Sequence, residues 1–124
     1  MARLLVVDDD EDIRELLSIA LGVAGHEILT ASDGPEALDV LAAEPVDLMV
    51  LDVSMPQMSG LEVARRVRAT PPAPEPLILM LSAMGDPDDI AAGLAAGADT
   101  YATKPFNIKS LTRAVDTLLR GRAS

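Results

Sequence analysis

The chain has 124 residues and no cysteine, which excludes disulfides and thiolate metal sites and leaves enough length to bury one core without staples. A formal net charge of -10 repels phosphate backbones, and with no Trp, one Tyr and one Phe the chain offers bases no stacking platform, so direct nucleic-acid binding is not expected. The longest aliphatic run, 77–81, is far too short to span a membrane, and acids by residue 8 leave no room for a secretory segment, so a soluble cytoplasmic protein is expected.

In chain order, Leu4-Leu5-Val6-Val7 reads as a buried strand that stops on Asp8-Asp9. Ile13, Leu16, Leu17, Ala20, Leu21 and Ala24 then form one helical stripe, with Asp10 or a neighbouring acid as cap and Gly25 just past the end. A second strand covers about Glu27–Ala31, and Asp33-Gly34-Pro35 opens a helix reaching about Ala43. The third strand, about Val46–Leu51, stops on Asp52. Gly60 begins a helix that turns Leu61, Ala64 and Val67 inward. The proline-rich stretch 70–76 cannot be helical and reads as a surface loop.

Leu77-Ile78-Leu79-Met80-Leu81 is the fourth strand and stops on Ser82. Asp86-Pro87-Asp88-Asp89 combines a cap, a proline at the first helical position and an acid three residues past the cap. The helix that follows is expected to face inward through Ile90, Ala91, Leu94 and Ala95 and to end at Gly97. A short strand at Thr100–Thr103 leads to Lys104-Pro105, and Ile108, Leu111, Val115 and Leu118 mark a final helix. Strict strand–helix alternation predicts an α/β fold with a parallel sheet covered on both faces, but periodicity leaves the strand order open. His26, next to the helix-ending Gly25, is expected to face solvent and is assigned no role.

Ligands of open parallel sheets bind beyond the carboxyl ends of the strands. If the four strand ends named above are neighbours, Asp8, Asp9, Asp52, Ser82 and Lys104 converge. Two carboxylates about 4–5 Å apart at an effective dielectric of about 20 repel by roughly 3–4 kcal/mol. Such a cluster calls for a cation, and an oxygen-only donor set suits a hard divalent ion such as magnesium. Ser82 and Lys104 add a hydroxyl and an ammonium, the groups that hold a phosphoryl. The plainer readings are a helix cap with dipole-matched acids for residues 8–12, an Asx turn for Asp52, a turn hydroxyl for Ser82 and a solvated charge for Lys104.

The Asp8-Asp9 pair, Asp52 with Met55-Pro56 and Gly60, Leu81-Ser82-Ala83 and Lys104-Pro105-Phe106 together resemble the receiver domain of two-component response regulators. The resemblance covers residues 1–124 as a single domain. It implies a flavodoxin-like, doubly wound (βα)5 fold with strand order 2-1-3-4-5. It implies Asp52 as phosphoacceptor for a phosphohistidine of a sensor histidine kinase or phosphotransfer protein. Magnesium would be held by Asp9, Asp52 and the Ser54 backbone carbonyl, with Asp8 acting through water. Lys104 would pair with Asp52 or its phosphate across a cis Lys104–Pro105 peptide, and Ser82 and Tyr101 would be the switch hydroxyl and switch aromatic. A plainer reading of Tyr101 is a half-buried core aromatic.

The same resemblance implies a signalling domain whose only chemistry is its own phosphorylation and dephosphorylation. Its output would pass through the fourth helix, fifth strand and fifth helix to a downstream protein target or an effector domain. Phosphorylation-dependent homodimerisation through that face stays open, as does whether the chain is stand-alone or part of a larger regulator. Ser54 and Met84 flank the route of a hydrolytic water without a carboxylate or amide to orient it, so slow self-dephosphorylation is expected. The rival reading is a small phosphatase resembling haloacid dehalogenases, with Asp8 as nucleophile and Asp10 as general acid.

Overall fold

The computed structural model describes residues 2–123. Among them, five strands alternate with five helices: β1 (Arg3–Val7), α1 (Glu11–Val23), β2 (Glu27–Ala31), α2 (Gly34–Ala43), β3 (Leu48–Asp52), α3 (Gly60–Ala69), β4 (Leu77–Ser82), α4 (Pro87–Ala96), β5 (Thr100–Thr103) and α5 (Ile108–Ala123). All strand pairs are parallel, in the order β2-β1-β3-β4-β5. This is the flavodoxin-like order.

The register puts the strand ends level. Val7 lies opposite Leu51, Asp52 opposite Leu81, and Ser82 opposite Thr103. Residues just beyond those pairs, Asp8 and Lys104, therefore emerge on one rim. Alternate side chains along each strand feed two cores, one on each face. Leu5, Val7, Met49, Leu51, Ile78 and Met80 pack with α2, α3 and α4. Leu4, Val6, Leu48, Val50, Leu79 and Leu81 pack with α1 and α5.

Helix starts are built as their sequences suggest. Asp10 caps α1 by accepting from the N–H groups of Asp12 and Ile13 at 2.9 and 3.4 Å. Asp33, Ser59 and Asp86 cap α2, α3 and α4 in the same manner. At the opposite rim, Arg68 donates to the carbonyls of Gly97 and Pro76 and pairs with Asp99 at 2.9 Å, tying α3 to the ends of its neighbours. Arg122, in the last turn of α5, donates to the carbonyls of Asp47 and Glu75.

Several expectations change. Strand β3 begins at Leu48 rather than at about Val46, and it includes Asp52. The inward face of α4 is Gly93 and Ala96, while Leu94 is 45% exposed and Ala91 and Ala95 also face solvent. This helix lies so close to β5 that only small residues fit beneath it, so contact distance outweighs hydrophobicity in choosing its face. His26 does not face solvent: its Nδ1 accepts from the Ala2 N–H at 3.3 Å and its Nε2 lies 3.3 Å from Asp116 on α5. It fastens the start of β2 to the last helix.

Candidate functional site

The carboxyl ends of β1 and β3 bring Asp8, Asp9 and Asp52 together, with one ligand oxygen of each within 4.8 Å of the others. Asp8 and Asp52 are buried at 2% and 4% exposure, whereas Asp9 faces solvent. The β1–α1 turn is held from two sides. Asp10 N–H donates to Asp8 Oδ1 at 2.9 Å, and the Arg14 guanidinium donates to the Asp8 carbonyl at 2.7 Å. With its carboxylate committed to capping α1, Asp10 stands outside the cluster.

Lys104 reaches in from the end of β5. Its ammonium lies 3.0 Å from Asp8 Oδ2 and 3.4 Å from Asp52 Oδ1, so the resting lysine sits nearer the flanking carboxylate than the central one. The Lys104–Pro105 peptide is cis. The Ser54 N–H donates to Asp52 Oδ1 at 3.4 Å from an exposed turn.

Burial and the Asp8 charge push the Asp52 carboxyl up to about 6, although Lys104 and the Ser54 N–H pull the other way. Burial also works against the Lys104 ammonium, but its bond to Asp8 and the charges of Asp52 and Asp8 outweigh that, and its pKa is raised. One ammonium thus faces two buried carboxylates and an exposed third. The donor set consists of hard carboxylate oxygens, the ligand type that divalent cations such as magnesium take. The residues present fit a divalent cation.

Ser82 is fully buried at the end of β4, and its Oγ accepts from the Met84 N–H at 3.0 Å. Tyr101, half-buried on β5, donates its hydroxyl to the Met84 carbonyl at 2.7 Å. Met84 is 39% exposed beside them.

The β3–α3 loop shows why Gly60 is needed. A Cβ there would lie 2.2 Å from the Asp52 carbonyl oxygen, and the Gly60 N–H donates to the Val53 carbonyl at 2.9 Å. Close backbone approach, rather than an unusual φ, demands glycine at this position. Gln57, by contrast, holds φ 71, a left-handed conformation that costs a side-chain-bearing residue about 1–2 kcal/mol. Sequence reasoning passed over Gln57, Arg14 and the buried Gly93 of α4. The Met55-Pro56 turn before Gln57 was a signal for the first, but nothing local marks the other two.

A family model described as "Response regulator receiver domain" matches residues 4–116. Response regulator MprA of Mycobacterium tuberculosis (strain ATCC 25177 / H37Ra) is 45% identical over 118 residues, covering 95% of this chain and 50% of that protein. The chain spans about half the length of the curated relatives it matches. Among solved structures, the chemotaxis protein CheY4 of Vibrio cholerae is 38% identical with a TM-score of 0.88, covering 94% of this chain and 98% of that one. A receiver domain described as "BeF3 Activated DrrB Receiver Domain" is 35% identical with a TM-score of 0.87, covering 97% and 98%. A sheet whose level strand ends gather three aspartates, a serine and a lysine, and a sequence that the family model follows nearly end to end, lead to one assignment: the chain belongs to the receiver domains of two-component response regulators.

Proposed function

We propose that this phosphorylatable switch takes its phosphoryl group on Asp52, from a phosphohistidine of a sensor histidine kinase or a histidine phosphotransfer protein. The observation that carries the reading is the placement of Asp52: buried, flanked by Asp8 and Asp9, and 3.4 Å from the Lys104 ammonium. An Asp52 carboxylate oxygen attacks phosphorus, the phosphorus–nitrogen bond breaks, and its electron pair returns to the imidazole of the donor. Lys104, already between Asp8 and Asp52, neutralises charge on the acceptor and then on the acyl phosphate. Asp9, Asp52 and the Ser54 carbonyl would hold magnesium, with Asp8 supporting it through water. When bound, that ion offsets the repulsion between two anionic reactants and helps align them.

Once formed, the acyl phosphate adds charge and acceptor oxygens. Ser82 turns its hydroxyl toward one of them, and Tyr101 answers at the neighbouring strand. The population of the α4-β5-α5 surface shifts with them. That surface serves a downstream protein target or an effector domain, and it is the candidate face for any phosphorylation-dependent homodimer. Residues 1–124 are taken as one receiver unit acting in the cytoplasm, where kinase and ATP meet. Among the described residues no helix is long and apolar enough to cross a membrane. The phosphatase reading needs Asp10 as a general acid, yet Asp10 is the α1 cap.

The test is incubation with magnesium and acetyl phosphate, followed by location of the modified residue. Label on Asp52 is expected, lost with chelator and lost in Asp52→Asn. A variant still fully labelled would end the proposal, and label on Asp8 would revive the phosphatase.

A further inference from the structure

Tyr101 is the single tyrosine of a chain without tryptophan. Its ring rests on α4 where that helix presents Gly93, a buried position. A Cβ at Gly93 would lie 2.7 Å from Tyr101 Cδ2, 2.8 Å from Cε2 and 3.0 Å from Met80 Sδ. Carbon atoms do not pack at such distances, so the ring occupies a seat that exists because residue 93 has no side chain. At the far end of the ring, the hydroxyl donates to the Met84 carbonyl, while the Met84 N–H donates to Ser82 Oγ. A single residue therefore carries both contacts: its carbonyl holds the aromatic and its amide holds the buried hydroxyl.

We infer that Gly93 is the positioning residue of the switch. Its bare backbone admits the Tyr101 ring, the seated ring fixes the Met84 peptide groups, and these fix Ser82. The functional half of this inference rests on the reading of Asp52 as phosphoacceptor; the seat itself does not. Helix propensity argues in the opposite direction. Gly within a helix is less favourable than Ala, so a residue 93 whose surroundings were indifferent would gain from a methyl group. The steric conflict with Tyr101 reverses that sign, and the reversal separates the seat from an ordinary helical glycine.

With no tryptophan present, ultraviolet-excited emission of the folded protein reports on Tyr101 alone. In Gly93→Ala the ring leaves for another staggered well, and acrylamide quenching of its emission rises by roughly twofold. The melting temperature falls in Gly93→Ala, yet the same substitution leaves it unchanged or raises it in a Tyr101→Ala background. If Gly93→Ala fails to fold, recovery of the fold in Gly93→Ala/Tyr101→Ala makes the same point. Parent-like quenching, or equal loss of stability in both backgrounds, overturns the inference.

The functional arm adds magnesium and beryllofluoride and follows the same emission. A response in the parent that is lost in Gly93→Ala, with Asp52 still labelled by acetyl phosphate, is expected. A parent-like response in Gly93→Ala overturns the positioning role. Absence of Asp52 label in the parent defeats the phosphoacceptor reading instead, and the resting-state quenching still decides whether the seat exists.

Discussion

Burial and the neighbouring Asp8 lift the Asp52 carboxyl from the ordinary 3.8 to about 6. Between those values the folded protein keeps a proton that the unfolded chain has released, so stability falls as pH rises through the window. The contribution is complete below 3.8 and gone above about 6. A shift of this size corresponds to at most about 3 kcal/mol. In chelator-containing buffer, Asp52→Asn is expected to be more stable than the parent at neutral pH by on the order of 1–3 kcal/mol. It should also lose the parent's decline between the two values, and urea unfolding across pH measures both. Parallel curves would contradict this account of the buried carboxylate. Met84 belongs to the same scale. Exposed beside Ser82, it presents no group to orient water, so Met84→Glu should shorten the acyl-phosphate lifetime by up to about a hundredfold, the lower end for a positioned base. An unchanged or longer decay counts against slow self-dephosphorylation as a property of residue 84.

At the level of elements, the loop between β3 and α3 is held by contact between two backbones. A methyl group at Gly60 would meet the Asp52 carbonyl, which cannot swing away as a side chain could. Gly60→Ala is therefore expected to cost about 2–3 kcal/mol by denaturant unfolding and to slow labelling of Asp52 by acetyl phosphate. A variant as stable as the parent would mean that the loop relaxes freely. The residues that gather at the candidate site were legible because they lie at the ends of short strands, three of them aliphatic, and parallel strands of similar length bring those ends to one rim. The helical faces were less so. On α1 the apolar stripe is buried only in part: Leu17 and Leu21 are in the core, but Leu16 is 47% exposed. On α4 the apolar pattern pointed outward, because the close approach of the helix to Tyr101 admits glycine and alanine and turns Leu94 away. The role of His26 was hidden for another reason. Its partners, Ala2 and Asp116, are set by how the two ends of the chain meet, which no local pattern encodes.

Across the molecule, the formal charge of -10 makes the compact state repel itself. Monovalent salt should raise the melting temperature gradually, without saturating at low concentration. Magnesium at constant ionic strength should instead act through the acidic cluster, with a saturating rise that is absent in Asp9→Asn. Equal effects of the two salts would reduce the cluster to general screening. The paired cores carry a further consequence. Neighbouring residues of β3 belong to opposite faces, with Met49 and Leu51 on one and Leu48 and Val50 on the other. One extra residue inserted between Leu48 and Asp52 would reverse the facing of the strand residues on one side of it and turn the Asp52 carboxylate away from Lys104. Frame, in the sense of odd or even count along a strand, is thus what aims the chemistry, and an insertion of two residues should be better tolerated than an insertion of one.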